Sequence, residues 1–242
     1  MKNSIEVINL SKSYKTKKAV NNISFKIDEN EIVGLLGPNG CGKTTTIGMI
    51  LGLLKPTSGQ VLINGKNIEN NKISILHKMN FISPYIELPK KLTVKQNLIV
   101  YGKLYNIKNL NERINFLSEK LRLGDLLDKI TGELSSGQKN RVSLAKALIN
   151  DPTVLLLDEP TAALDPETAD FIRTFLEKLR EEKKISVLLA SHNMDEVKRL
   201  CNSVMMMKDG NIVDSGTPED LIKKYGQKNL EEVFLEIVRK DK

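Results

Sequence analysis

No apolar run in the 242-residue chain approaches the roughly 20 residues that a membrane-spanning helix needs, so the chain is not expected to cross a bilayer. Its opening decapeptide, MKNSIEVINL, lacks the apolar core of a secretory signal. Two cysteines, Cys41 and Cys201, are too few for a disulfide framework and suit a reducing cytosol. There is no internal repeat, no low-complexity tract and no a/d pattern sustained over several heptads, which excludes solenoids and long coiled coils. What is present is ordinary for a soluble globular protein: 40% apolar and 28% charged residues, 15 Gly and 8 Pro. The length fits one large domain, or one domain with a helical insertion. A net charge of +7 admits nucleic acid, an acidic membrane surface or polyanionic nucleotides as partners, and equally a lysine-rich solvated face.

Along the chain, strands and helices alternate. Apolar alternation at Ile5 and Val7, then at Val20, Ile23, Phe25 and Ile27, predicts antiparallel strands. EIVGLLG reads as a buried strand that runs into a glycine-rich turn and a helix. KPTSGQVLINGKNI is hairpin chemistry, with Asn64-Gly65 at the turn. From Thr93 to Leu127 the pattern is helical, and Thr93 with Gln96 forms a capping box. A helix after Gly137, the strand TVLLLDEP, a helix near Pro166, the strand ISVLLAS and a short helix follow. The chain then gives a hairpin turning at Asp209-Gly210, a GQK linker and an amphipathic NLEEVFLEIVRK. This order argues an α/β fold with a largely parallel central sheet.

GPNGCGKT, Gly37 to Thr44, fits the phosphate-loop pattern in its required setting, after a strand and before a helix. Glycines let successive N–H groups converge on phosphate oxygens, Lys43 supplies charge for the β/γ-phosphates, and the Thr44 hydroxyl suits the shell of Mg²⁺. Cys41 sits among those N–H groups, where a lowered thiol pKa and alkylation slowed by MgATP are expected. Asp158 and Glu159 end an apolar strand, where one carboxylate suits Mg²⁺ through water and a second suits a general base. Alone, such a pair also fits a strand running into an acidic helix cap. His192, just beyond another apolar strand, would face the same crevice. A second helix start, in GELSSGQKNRVSLAKAL, offers small residues and free N–H groups as another anion site.

These residues resemble the ATP-binding cassette (ABC) ATPases over nearly the whole chain, with Gly37–Thr44, LSSGQ (Leu134–Gln138), VLLLDEP, ALD (Ala163–Asp165) and SHN in the family's order. The resemblance implies a P-loop NTPase (RecA-like) core with an N-terminal antiparallel β subdomain and a helical signature subdomain at about residues 84–150. The cassette is expected over 1–225 and a short helical tail over 226–242. ATP and Mg²⁺ are the implied cofactors. Gly37, Pro38, Asn39, Gly40, Cys41, Gly42, Lys43, Thr44 and Thr45 would cradle nucleotide, with Tyr14 stacking on adenine. Thr44 and Asp158 would serve the metal, while Lys43, Glu159 and His192 would carry catalysis. Ser135, Ser136, Gly137 and Gln138 would cap the ATP held by a second cassette, in a dimer expected to be of two copies.

Two departures from the family pattern stand out. Ser136 replaces the commoner glycine of LSGGQ, a small residue expected to preserve function. The family's glutamine between core and helical subdomain is missing, because no Gln lies between Gln60 and Gln96. Spacing puts Ser83 or Pro84 there, and either water or Ser83 would complete the shell. The tail from Gly216 resembles bacterial drug and polysaccharide exporter cassettes, while also reading as an amphipathic helix packed on the core. The expected function is therefore the ATP-hydrolysing subunit of an exporter, cytoplasmic and held at the inner membrane face by a separate permease, with no nucleic-acid partner. A nucleic-acid- or ribosome-associated ABC ATPase is the alternative, disfavoured because neither coiled-coil heptads nor a second cassette are present.

Overall fold

Two strands of alternating burial open the fold. β1 (Asn3–Tyr14) and β2 (Lys17–Asp28) pair antiparallel, and β4 (Ser58–Ile63) joins the other edge of β1. β5 (Lys66–Asn67) completes this sheet in the order β2-β1-β4-β5. In the computed structural model, residues 3–15, 17–84 and 86–239 are described. The turn between β4 and β5 puts Asn64 and Gly65 at φ 49° and 76°. Positive φ at both central residues matches the right-handed twist of a two-residue hairpin, which is why Asn-Gly stands there.

The second sheet has six strands in the order β10-β9-β3-β8-β7-β6. Its members are β3 (Ile32–Leu36), β6 (Met79–Ile82), β7 (Val154–Asp158), β8 (Ser186–Ala190), β9 (Ser203–Lys208) and β10 (Asn211–Gly216). All neighbours are parallel except the β9–β10 hairpin, which turns at Asp209-Gly210. β3, β7 and β8 are buried at every position, so their near-continuous apolar runs are those of strands covered on both faces. Alternation divides them between two cores. Val33, Leu35, Val154, Leu156, Leu188 and Ala190 face the antiparallel sheet with α1 (Lys43–Ile50) and α2 (Ile68–Leu76). Ile32, Leu36, Leu155, Leu157, Val187 and Leu189 face the other helices.

Those helices are α3 (Val94–Leu104), α4 (Leu110–Lys120), α5 (Ser136–Leu148), α6 (Pro166–Glu182), α7 (Met194–Leu200), α8 (Pro218–Tyr225) and α9 (Leu230–Arg239). Thr93 caps α3 as expected: its hydroxyl accepts from the Gln96 N–H at 3.1 Å and the Gln96 side chain accepts from the Thr93 N–H at 2.9 Å. Such a cap contributes about 1 kcal/mol. Leu230, Val233 and Ile237 of α9 are buried in the same core as α7 and β9, so the amphipathic stretch packs on the body of the protein. Residues 240–242 of the tail lie outside the described residues. No helix among those described is long and apolar enough to cross a membrane.

Three elements had no counterpart in the sequence reading. α2 is interrupted at Asn71 (φ −127°, ψ 26°), which breaks its periodicity. β6 has four residues, too few to show alternation. α8 was legible in principle, since Thr217 and Pro218 open it and Gly226, at φ 64°, closes it.

α5 is tied to the parallel sheet by Lys146, whose ammonium donates to the Phe81 carbonyl of β6 at 3.1 Å and lies 5.6 Å from the Tyr101 ring centroid. Burial pushes Lys146 down to about 8, below its ordinary 10.5. The unfolded chain therefore binds one more proton than the folded chain between these values, and stability rises with pH across that window. The buried thiols Cys41 and Cys201, pushed up in the folded chain, act in the opposite sense in this window but equally with and without Lys146. Urea titrations at pH 7.5 and 9.5 should therefore show the unfolding free energy changing more positively with pH in the wild-type chain than in Lys146→Met.

Candidate active site

Parallel pairing brings four chain segments to one edge. In register, Leu35 of β3 and Asp158 of β7 both lie opposite Ala190 of β8, and Ile82 of β6 lies opposite Leu157. The carboxyl ends of these strands therefore deliver Gly37, Ser83, Asp158 with Glu159, and His192 side by side, where ligands of open α/β sheets bind.

β3 leads into the phosphate loop and α1 leaves it. Gly42 is the N-cap at φ 115°, and no side chain caps the opening turn of α1. A side chain is impossible there on two grounds: the backbone is left-handed, and a Cβ would lie 2.4 Å from the Ala19 carbonyl of β2. Gly37 is confined likewise, with a Cβ position 2.2 Å from the Met207 carbonyl. The loop thus threads between β2 and β9 while its far side stays open. Lys43 donates to the carbonyls of Gly37 (2.6 Å) and Pro38 (3.2 Å), so its charge rests on neutral acceptors inside the loop. Thr44 is exposed beside it and Thr45 half-buried. Tyr14 is 48% exposed and pairs with Lys17, two residues before Ala19, with the Lys12 ammonium 5.2 Å from its ring centroid.

Cys41 corrects an expectation. Its backbone belongs to the loop, but its thiol is 3% exposed and turned into the core between the sheets. Burial pushes the Cys41 thiol up, and the opposing charge of Lys43, 3.9 Å from its sulfur, does not compensate. Cys41 thus gives its backbone to the loop and its side chain to the core.

Asp158 is 5% exposed, and its Oδ2 accepts from the Ser83 hydroxyl at 3.4 Å. Burial raises its proton affinity and so does the Glu159 charge, against the lowering effects of Ser83 and Lys43. Glu159 has φ 52°, a left-handed conformation that costs a non-glycine residue on the order of 1–3 kcal/mol. Tertiary contacts hold it there. Its N–H donates to the Ala190 carbonyl at 2.8 Å, and its Oε2 takes His192 Nδ1 at 2.7 Å and the His192 N–H at 3.4 Å. The His192 side chain is 74% exposed, with its other nitrogen edge turned away from Glu159.

No group of three or more His, Cys, Asp or Glu gathers among the described residues. Asp158 and the Thr44 hydroxyl offer oxygen donors only, which suits Mg²⁺ completed by phosphate oxygens and water and does not suit a soft metal.

The start of α5 differs from that of α1. Ser135 caps α5 with a capping box: its hydroxyl accepts from the Gln138 N–H at 3.3 Å and the Gln138 side chain accepts from the Ser135 N–H at 3.0 Å. Gly137 is buried against Thr168, where a Cβ would come within 3.0 Å of that side chain. Ser135 and Ser136 are exposed. Ser136, Ser83 and Glu159 line one cavity of about 230 Å³, closed by Asn140 and Ala163 among others. Asn140 of α5 also donates to the Pro160 carbonyl at 2.6 Å, a tie between signature helix and strand end that the sequence reading missed. Nothing in the local pattern announces it, because the partners are 20 residues apart.

A family model described as ABC transporter matches residues 20–162, and one for an AAA domain, putative AbiEii toxin, matches residues 132–197. The choline transport ATP-binding protein OpuBA of Bacillus subtilis is 35% identical over 93% of the chain, which spans only 60% of OpuBA. The ABC transporter ATP-binding protein NatA of the same organism is 34% identical, covering 91% of each. A Nod factor export ATP-binding protein I of Burkholderia lata is 36% identical (90% and 72%), and the methionine import protein MetN of Latilactobacillus sakei is 39% identical (84% and 61%). Among solved structures, an ATP-binding subunit of an ABC transporter superposes at TM-score 0.88 with 26% identity, covering 96% of this chain and 98% of that one. A dimeric bacterial ABC transporter cassette gives 0.81 with 28% identity (88% and 98%), and its post-hydrolysis form with ADP and Pi gives 0.80 with 27% identity (88% and 98%).

With both thiols buried, alkylation should report unfolding and not nucleotide. Iodoacetamide at neutral pH should label Cys41 at least about tenfold more slowly in the native chain than in urea. Fast native labelling, protected by MgATP, would contradict the buried position.

Proposed function

The chain belongs to the ABC transporter family as an ATP-hydrolysing cassette, and on that premise we propose that it powers a separate membrane-spanning permease by ATP-driven closure of two cassettes. The observation that carries this reading is the contact of His192 Nδ1 with Glu159 beside buried Asp158, on the sheet edge that bears the phosphate loop.

The roles follow from the groups' chemistry. Backbone N–H groups from Asn39 to Thr45 receive phosphate, and Lys43 exchanges two loop carbonyls for β/γ-phosphate oxygens. Thr44 and Asp158 would hold Mg²⁺, which would supply positive charge against that of the phosphates. Glu159 is an exclusive acceptor when ionised, so it orients and deprotonates the attacking water. His192 gives its Nδ1 to Glu159, which leaves Nε2 for the γ-phosphate. Tyr14 stacks on adenine. Ser83 stands in for the absent glutamine, a reading supported by its hydroxyl contact with Asp158 just beyond the paired ends of β6 and β7.

The exposed Ser135 and Ser136 and the remaining amides of the α5 start receive the γ-phosphate bound by a second copy of the chain. ABC cassettes dimerise and pair with transmembrane subunits, and one similar structure is such a dimer while another belongs to a transporter complex. The chain's place is then the cytoplasmic face of the membrane, against its permease. Export is the preferred direction on the resemblance of the tail; the relatives include both an exporter and an importer subunit.

Glu159→Gln should lower ATP turnover about 10²–10⁴-fold and leave ATP binding intact, trapping a dimer at saturating ATP and Mg²⁺. Sedimentation velocity reads this directly, and a variant that stays monomeric contradicts trans capping. Ser83→Ala should reduce ATPase activity most at limiting Mg²⁺, measured as a rise in the Mg²⁺ concentration for half-maximal rate. An unchanged curve assigns that place in the shell to water.

A further inference from the structure

Glu196 is a carboxylate with no exposed surface, in the first turn of α7. Its sequence setting is local: Asn193 is the N-cap of α7 and accepts from the Glu196 N–H at 3.1 Å. A glutamate at this third position ordinarily reaches back to the N-cap N–H, completing a capping box. Here it does not. The Asn193 N–H donates to the Ser191 hydroxyl at 3.1 Å, and the Glu196 carboxylate is spent on two other partners. Oε2 takes the Ser191 hydroxyl at 2.6 Å and Oε1 takes the Thr161 hydroxyl at 2.7 Å. All three side chains are buried.

The two partners define what the carboxylate holds. Ser191 immediately precedes His192, and Thr161 is two residues beyond Glu159 and two before Ala163, which also carries a positive φ of 57°. Glu196 thus joins, from beneath, the two loops that meet above it through Glu159 and His192. The loop from β7 carries a second anchor at Pro160, the carbonyl that takes Asn140. Burial pushes Glu196 up while the two hydroxyls and Arg173 of α6 hold it down. A fully buried carboxylate that forgoes its local cap for two loops is costly to keep unless those loops must be held.

We propose that Glu196 is a positioning residue for hydrolysis: by binding Thr161 and Ser191 together it keeps His192 on Glu159. This rests on the reading of Glu159 and His192 as the hydrolytic pair, but the contact itself can be followed without that reading.

The 242-residue chain has two histidines, His192 and His77, and His77 lies edge-on to Tyr105 at 5.9 Å. Their Cε1–H resonances therefore give a reporter and an internal control. Glu196→Gln keeps one acceptor oxygen and puts an NH₂ donor in place of the other, so one hydroxyl must reverse from donor to acceptor and the paired grip on the two loops is weakened. The expected result is a kcat lower by on the order of tenfold, with the Kd for a fluorescent ATP analogue within about twofold. The His192 resonance should move and the His77 resonance should stay. Thr161→Val, which removes one hydroxyl at similar volume, should give the same pattern in weaker form and serves if Glu196→Gln does not fold. An unmoved His192 resonance or an unchanged kcat overturns the proposal. So does a loss shared by kcat, nucleotide affinity and both histidine signals, which is general unfolding. Turnover that survives Glu159→Gln would overturn the hydrolytic assignment alone, and the His192 resonance would still report whether Glu196 holds the loop.

Discussion

The parallel register of β3, β8, β7 and β6 is the constraint on which the site depends. It makes four strand ends coincide, so that a phosphate loop, a buried carboxylate, a second carboxylate and a histidine share one edge although 155 residues separate Gly37 from His192. Continuous apolar strands buried on both faces hold that register against slippage, because a shift by one residue would exchange the two cores. The stability of the sheet in turn sustains the left-handed Glu159, a conformation a free chain would relax.

Much of this was legible in the residues. The phosphate loop, the acidic strand end, the hairpins at Asn64-Gly65 and Asp209-Gly210 and the Thr93–Gln96 box each carry their chemistry within a few positions. What was not legible is tertiary. Cys41 sits among loop amides in sequence, yet its side chain points the other way, and only the packing against Gly37 and β9 decides which environment the thiol feels. Glu196 looks like a helix cap and is diverted to Thr161, 35 residues away. Asn140 is one polar residue on a helix until the fold sets Pro160 beside it. The contact of the Ser83 hydroxyl with Asp158 joins residues 75 apart and is likewise tertiary.

The two helix starts make the functional logic concrete. That of α1 has no side-chain cap and a lysine folded over it, an arrangement ready for phosphate. That of α5 is already satisfied in part by Ser135 and Gln138, with both Ser135 and Ser136 exposed. A helix start that caps itself can wait for an anion without the cost of bare amides. The proposed dimer gives it one, held by the phosphate loop of a second cassette.

Trans complementation tests that central claim most directly. Lys43→Ala disables one phosphate loop, and Ser135→Arg blocks one signature; each variant alone should hydrolyse ATP poorly. In a mixture, a heterodimer would pair the intact loop of one chain with the intact signature of the other, so ATPase activity should reappear on mixing. Activity of the mixture no greater than the sum of the two variants would contradict a site built from two chains.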